Sequence, residues 1–169
     1  VALVFMDLAI PRLIERITDH RGRVLQDSPT QKPDESMRVI DARNAFVMTD
    51  LLQEVTRSGT AAKAQGTLKR NDIYGKTGTT NDSLDAWFAG WHPSLVAVVW
   101  IGYDTPRKLG DKETGGGLAL PVWIDFMSQA IKNVPVAPAV PPPPGLLQVD
   151  GEWAYEEFAH GAGVTSVGL

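Results

Sequence analysis

Residues 75–80 read Gly-Lys-Thr-Gly-Thr-Thr, and they hold the densest chemistry in the chain. One ammonium (Lys76), three hydroxyls (Thr77, Thr79, Thr80) and two glycines (Gly75, Gly78) fall within six positions. A phosphate loop is the first chemistry to test. It requires a glycine five residues before the Gly-Lys pair and a helix directly after the lysine. The first of these positions is Arg70, and Thr77 is followed by Gly78-Thr79-Thr80-Asn81 and then a β pattern. A nucleotide cradle is therefore set aside. Lysine on an exposed edge strand can also serve only to block aggregation. Glycines around Lys76-Thr77 weaken a strand without structural return unless another backbone must approach closely. Hydroxyls and an ammonium on such a strand suit a peptide-like carboxylate, with the peptide adding alongside by β-augmentation.

The elements that must position this strand are legible nearby. Asp72 to Thr80 is a short β-like run, Ala86–Trp91 a second strand and Leu95–Ile101 a third, with His92-Pro93-Ser94 as the turn between them. Connections this short imply antiparallel neighbours, because parallel strands need long crossovers. Upstream, Asp41 is an N-cap candidate for a helix through about Thr56, with Ala45, Phe46, Met48, Leu52 and Val55 at helical spacing and Gly59 at its end. A short helix or turn is expected over 61–64. Downstream, Gly115-Gly116-Gly117 leads to a helix from about Leu120, with Pro121 in its first turn. Its expected apolar stripe is Ala119, Val122, Trp123, Phe126, Met127, Ala130 and Ile131, covering one face of the sheet. Leu13, Ile14 and Ile17, the turn 19–22, then Val24 and Leu25 predict a hairpin, and 28–36 a polar loop.

Composition narrows the function. Among 169 residues there are 16 Lys+Arg, 20 Asp+Glu and no Cys. Lys132 is the last basic residue, and Asp150, Glu152, Glu156 and Glu157 follow it, so the net charge of −4 lies entirely beyond a neutral body. A neutral body without a basic stripe argues against nucleic acid as a partner. Absence of cysteine excludes a disulfide scaffold, a thiol nucleophile and a Cys-based zinc site. No apolar run is long enough for a transmembrane helix. The chain has no initiating Met, and the expectation is a piece of a longer protein. Six of the 12 prolines lie between Pro135 and Pro144. The expected organisation is a body over 1–133, a Pro-rich linker over 134–145, and a small acidic tail over 146–169 with a hairpin around Asp150-Gly151 and disorder after it.

Lys76-Thr77-Gly78-Thr79-Thr80, with Asn81-Asp82 after it, resembles the Lys-Thr-Gly motif of penicillin-binding proteins. Asp85-Ala86-Trp87-Phe88-Ala89-Gly90, Val99-Trp100-Ile101-Gly102-Tyr103-Asp104, Glu113-Thr114-Gly115-Gly116 and Ala119-Leu120-Pro121-Val122-Trp123 follow in order. From Ile10 to Val134 the chain resembles the C-terminal part of the transpeptidase domain of a class A (bifunctional) penicillin-binding protein. The resemblance implies an α+β fold, an antiparallel sheet flanked by helices. It implies a peptidoglycan D,D-transpeptidase that acylates a serine with a D-Ala-D-Ala stem peptide and passes the acyl group to an amine; β-lactams acylate the same serine. Lys76 is then expected to supply positive charge and tune the proton network. Thr79 is expected to bind the substrate carboxylate and to give its N–H to an oxyanion hole, a donor worth about 10²–10³ in rate. Gly78 keeps the strand open, and Thr77 and Thr80 are expected to line the substrate. No cofactor is implied. The parent is expected on the periplasmic face of the inner membrane, membrane-anchored, with a glycosyltransferase domain.

The family also requires Ser-x-x-Lys and Ser-x-Asn, and none of the serines at 28, 36, 58, 83, 94, 128 and 166 begins either. Both motifs lie upstream of Lys-Thr-Gly in the family, so the upstream part of the same protein is the expected source of the nucleophile, and this chain alone is expected to be inactive. Thr60-Ala61-Ala62-Lys63 has the spacing with the wrong nucleophile and reads as incidental. The competing reading is a non-catalytic peptide-binding or structural piece that uses the same edge strand. His20, His92 and His160 lack metal-ligand spacing, and His92-Pro93-Ser94 reads as a turn. Asp82 and Asp85 read as strand-start caps, and Trp87, Trp91 and Trp100 as core or groove wall. Gly161-Ala162-Gly163 lacks the strand and third glycine of a dinucleotide site.

Overall fold

The computed structural model describes residues 14–28 and 39–159. The expectations for residues 1–13, the loop through Ser36 and the end of the tail lie outside the described residues. A two-stranded ribbon pairs β1 (Arg16–Thr18) with β2 (Val24–Asp27), antiparallel and exposed throughout, as the hairpin signal requires.

Helix α1 (Ala42–Arg57) begins where its cap is: the Asp41 carboxylate accepts the backbone N–H of Arg43 at 2.9 Å. It stops at Ser58-Gly59, both of whose N–H groups bond the Glu54 carbonyl. A side chain at Gly59 would sit 2.8 Å from the Val55 Cα, so glycine is what lets the chain fold back there. The next helix, α2 (Lys63–Leu68), starts later and runs longer than the expected 61–64. Ala61 and Ala64 are fully buried and anchor its first turn, while Lys69, in the left-handed conformation, ends it.

The sheet has the order β3 (Tyr74–Thr79), β4 (Ala86–His92), β5 (Leu95–Ile101), all antiparallel. On β4, Ala86, Phe88, Gly90 and His92 point to one face and are buried, while Trp87, Ala89 and Trp91 alternate to the other. Helix α3 (Leu120–Ala130) covers the first face, with Pro121 in its first turn. Trp123 is fully buried there, its ring 5.0 Å from Phe88 and its indole N–H bonded to the Ala97 carbonyl at 3.0 Å. Gly90 makes the fit possible, since a Cβ would lie 2.8 Å from the Trp123 ring. The buried stripe of α3 is Leu120, Trp123, Ile124, Met127 and then Ile131, rotated from the expected one. Val122 and Phe126 are half exposed. The glycines before α3 form a π-helical turn, Gly115–Ala119, that helical periodicity cannot foresee.

The opposite sheet face carries Trp87, Val96, Val98 and Trp100, each about half exposed. Trp87 and Trp100 lie 6.0 Å apart there, so among the described residues they are not core. Together these four side chains form an exposed apolar patch on that face.

After α3 the chain runs extended through the prolines to a hairpin of β6 (Leu146–Val149) and β7 (Glu152–Tyr155). Asp150 and Gly151 at its tip both have positive φ, 52° and 90°, as the expected two-residue turn demands. The hairpin rests on α1: Trp153 meets Phe46 edge-on at 5.1 Å, and the Glu157 carboxylate takes Arg43 Nη1 at 2.8 Å. Tyr155 donates to the Asn44 side-chain oxygen.

Candidate active-site strand

Strand β3 pairs only with β4, which leaves its other side as a sheet edge among the described residues. The amide of Thr80 donates to the Asp85 carbonyl at 3.2 Å. Antiparallel pairing alternates. Gly78 and Lys76 therefore turn their N–H and C=O groups toward β4, and Thr79, Thr77, Gly75 and Ile73 turn theirs to the edge. Helix α1 fills the first part of that edge: Thr56 Oγ1 donates to the Ile73 carbonyl at 2.6 Å, and Gln53 Nε2 to the Asn71 carbonyl. Gly75 is buried, and beyond it the edge offers the carbonyls and amides of Thr77 and Thr79. Lys76 Nζ reaches round to the Thr77 carbonyl at 3.1 Å, as an outward-facing carbonyl allows.

Side chains alternate as well. Thr77 and Thr79 stand opposite Phe88 and Ala86, on the face that α3 and the π turn cover. Lys76, Gly78 and Tyr74 stand opposite Ala89, Trp87 and Trp91, on the open face. Tyr74 stacks on Trp91 at 5.1 Å, and burial beside Asp72 pushes its phenol pKa up.

Each hydroxyl has its own partner. Thr79 Oγ1 accepts the N–H of Gly115 at 3.1 Å. Thr77 Oγ1 lies 3.0 Å from Thr60 Oγ1. Thr80 Oγ1 accepts the N–H groups of both Leu84 and Asp85 at 2.9 Å, closing the β3–β4 turn. Gly115 presses on the strand so closely that a Cβ would lie 2.3 Å from the Trp87 carbonyl and 2.5 Å from that of Gly78. The turn glycines are thus spacing elements for the strand, and nothing in residues 72–80 alone announces them. Asp85 accepts the Trp100 indole N–H at 2.8 Å, and Asp82 is exposed.

A second polar cluster lies at the other end of the sheet, and sequence reading missed it. Asp72, buried, accepts Arg70 Nε at 2.9 Å and Nη2 at 2.7 Å, the backbone N–H of Ala137 at 2.7 Å, and His92 Nε2 at 3.1 Å. Arg70 continues to the carbonyls of Val134 and Pro135 at 2.6 and 3.0 Å. Ser94 Oγ lies 2.8 Å from His92 Nδ1, which gives the outline of a Ser–His–Asp relay. The wiring is that of a staple. The backbone N–H of Ser94 also bonds Nδ1 at 3.1 Å, so that lone pair is shared, and Nε2–H points at Asp72. Burial raises the Asp72 carboxyl most strongly of any single influence, yet Arg70, the Ala137 amide and His92 together hold it at about 2. A carboxylate committed to an arginine and a backbone amide fastens chain segments together. His92 is the last residue of β4 and buried, not the turn residue its sequence context suggests; the turn itself is Pro93-Ser94.

Among the described residues no group of His, Cys, Asp or Glu has the arrangement to hold a metal ion, and no helix is long and apolar enough to cross a membrane.

A family profile described as the penicillin binding protein transpeptidase domain matches residues 4–128. The chain is 48% identical over 120 residues to penicillin-binding protein 1A of Pseudomonas aeruginosa, covering 71% of this chain and 14% of that protein. It is 43% identical over 141 residues to penicillin-binding protein 1A of Neisseria flavescens, 83% of this chain and 17% of that one. Against the Neisseria lactamica protein of the same name the identity is 42% over 158 residues, 93% of this chain and 19% of that one. The chain thus spans less than a fifth of the length of these curated relatives. In the crystal structure of penicillin-binding protein 1A from Haemophilus influenzae, the matching region superposes with a TM-score of 0.77 at 27% identity, over 97% of this chain and 31% of that chain.

Proposed function

The chain belongs to the penicillin-binding protein transpeptidase family, and from that premise we propose that it supplies one wall of a serine-type D,D-transpeptidase site. The observation that carries the reading is the open half of the β3 edge, where the Thr77 and Thr79 backbone groups face outward and both hydroxyls are already backed by partners. A D-Ala-D-Ala stem peptide lies along this edge. Its terminal carboxylate meets the hydroxyl of Thr79, with Thr77 beside it, and Lys76 adds positive charge. Gly78 admits the peptide backbone, and Thr80 shapes the end of the strand through the turn it closes.

Upstream residues of the same protein bring the nucleophilic serine and its lysine, and they cover the Trp87–Val98–Trp100 face. The serine attacks the carbonyl of the penultimate D-Ala, and the developing oxyanion is held by the Thr79 N–H and the nucleophile's own N–H. Terminal D-Ala leaves with the amide nitrogen and a proton. The acyl group then passes to the amine of an acceptor peptide, regenerating the serine. β-Lactams enter by the same first step and stay attached. The parent works on the periplasmic face of the inner membrane, anchored in it, with a glycosyltransferase domain elsewhere in its chain. Residues 134–145 connect the transpeptidase body (1–133) to the acidic tail (146–169), their first residues fastened to Arg70 and Asp72, and lie outside the chemistry.

Intact mass after incubation with a penicillin tests this. The full-length protein is expected to gain one penicilloyl adduct and residues 1–169 none. Lys76→Ala in the full-length protein should slow acylation at least tenfold. An adduct on residues 1–169 would show that the nucleophile lies within them. No adduct on the full-length protein would favour a non-catalytic peptide-binding role for the strand.

A further inference from the structure

Thr60 lies seventeen residues before Thr77, at the end of the turn that follows α1, and its hydroxyl oxygen is 3.0 Å from that of Thr77. Its placement is fixed by the core. The next residue, Ala61, is fully buried and bonds the Val55 carbonyl through its N–H at 3.0 Å. Ala62 N–H bonds the Gly59 carbonyl. On the other side, a Cβ on Gly116 would come within 3.2 Å of the Thr60 carbonyl, so the π turn packs against the backbone of Thr60 while the residue itself stays exposed. Thr60 is thus held between the end of α1 and the glycine turn, aimed at the functional strand.

The donor arithmetic gives this contact meaning. A threonine hydroxyl has one hydrogen to give and two lone pairs to receive. Gly115 N–H can only donate, so the hydroxyl of Thr79 accepts from behind and keeps its own hydrogen for a group in front. Thr77 has no such amide behind it. It has Thr60. When the Thr60 hydroxyl donates to Thr77, Thr77 is in the same state as Thr79, with its hydrogen free to point outward. An anion in front of the strand selects that orientation, because it accepts from both threonines at once. The two hydroxyls lie two residues apart on one face of β3, roughly 7 Å along the strand, so one carboxylate set between them is within hydrogen-bond reach of both.

We propose that Thr60 is a positioning residue for substrate: it donates to Thr77 and thereby commits the Thr77 hydroxyl to the carboxylate of the stem peptide or β-lactam. This rests on the transpeptidase reading above. The role differs from the nucleophile position that Thr60-Ala61-Ala62-Lys63 superficially suggests, since Thr60 acts only through another side chain.

The test uses the full-length protein and the second-order rate of acylation by a penicillin and by its carboxylate methyl ester. Thr60→Val keeps the shape and removes the donor. It should lower the rate for the free acid about fivefold, the loss expected for one neutral hydrogen bond of about 1 kcal/mol, and change that for the ester less than about twofold. Thr60→Ser, which keeps the hydroxyl, should restore the acid rate. In a Thr77→Val background, Thr60→Val should add no further loss. Equal losses on acid and ester, no loss on the acid, or an additive double variant would each overturn the proposal. The unfolding midpoint of each variant guards against a folding defect, and a misfolded Thr60→Val leaves Thr60→Ala with Thr60→Ser to make the same comparison. A wild-type protein that takes neither compound overturns the transpeptidase reading itself, and the role of Thr60 falls with it.

Discussion

Asp72→Asn removes the carboxylate on which Arg70, His92 and the Ala137 amide converge. Arg70 keeps its bonds to the Val134 and Pro135 carbonyls but loses its anion, in a site where its side chain is 11% exposed and that of Asp72 only 2%. Breaking one end of a buried pair costs roughly 3–5 kcal/mol, and the surviving carbonyl contacts place this case near about 3 kcal/mol. With a urea m-value of about 2 kcal/mol per molar, the unfolding midpoint falls by about 1.5 M. A pH series supplies an independent check. The folded carboxyl sits at about 2 against an ordinary 3.8, so its pKa is depressed on folding and its stabilisation is complete above the higher value. It is lost as pH falls from about 4 through about 2, and the difference amounts to about 2 kcal/mol at 1.36 kcal/mol per unit. Across that window the gap between wild type and Asp72→Asn should narrow, because a protonated Asp72 already resembles asparagine. Tryptophan-fluorescence unfolding in urea at pH 7, 4, 3 and 2.5 measures both effects. A gap below about 1 kcal/mol at pH 7, or one that stays constant from pH 4 to 2.5, would refute the staple.

Gly90→Ala would place a methyl 2.7–2.9 Å from Phe88, Trp123 and the Tyr74 carbonyl; the expected loss is about 1–3 kcal/mol of stability, read from urea unfolding. Trp153→Ala removes the edge-on contact with Phe46. Limited proteolysis should then cut within 138–159 faster than in wild type while α1 and the sheet stay protected, and an unchanged cleavage rate would mean that the hairpin is held without Trp153.

How far the sequence reaches depends on whether a feature is local or assembled. The three sheet strands, the Asp41 cap, Pro121 at the start of α3 and the Asp150-Gly151 turn are each written within a few residues, and the structure has all of them. The buried face of α3 is not local: apolar residues stand both at 120 and 124 and at 122 and 126, so spacing at 3.6 residues per turn does not choose between the two sides, and packing on the sheet buries Leu120 and Ile124. The Lys-Thr-Gly strand belongs to the legible class, because glycines flanking an ammonium and hydroxyls form an unusual β pattern. What stands behind that strand does not.

The contacts that were hidden share one physical form, and it bears on the site. Arg70, Asp72, His92 and Ala137 are ordinary residues in turns and strand ends until folding sets them within 3.1 Å of one carboxylate. Thr60 and Gly115 are equally ordinary until they stand behind Thr77 and Thr79. In each cluster a backbone group or a core-anchored residue supplies one partner, so side-chain spacing along the sequence cannot reveal it. The two clusters also bracket the same strand. Asp72, two residues before β3, fixes the start of that strand to the chain beyond α3, and the Gly115 turn fixes its far end to the chain before α3. Strand β3 is therefore clamped at both ends to the segments flanking one helix, which itself is locked on the sheet through Trp123. An edge strand offered to a peptide loses affinity for every degree of freedom it must freeze on binding. Clamping both ends settles that cost during folding, and the segment from Lys76 to Thr79 is presented already extended.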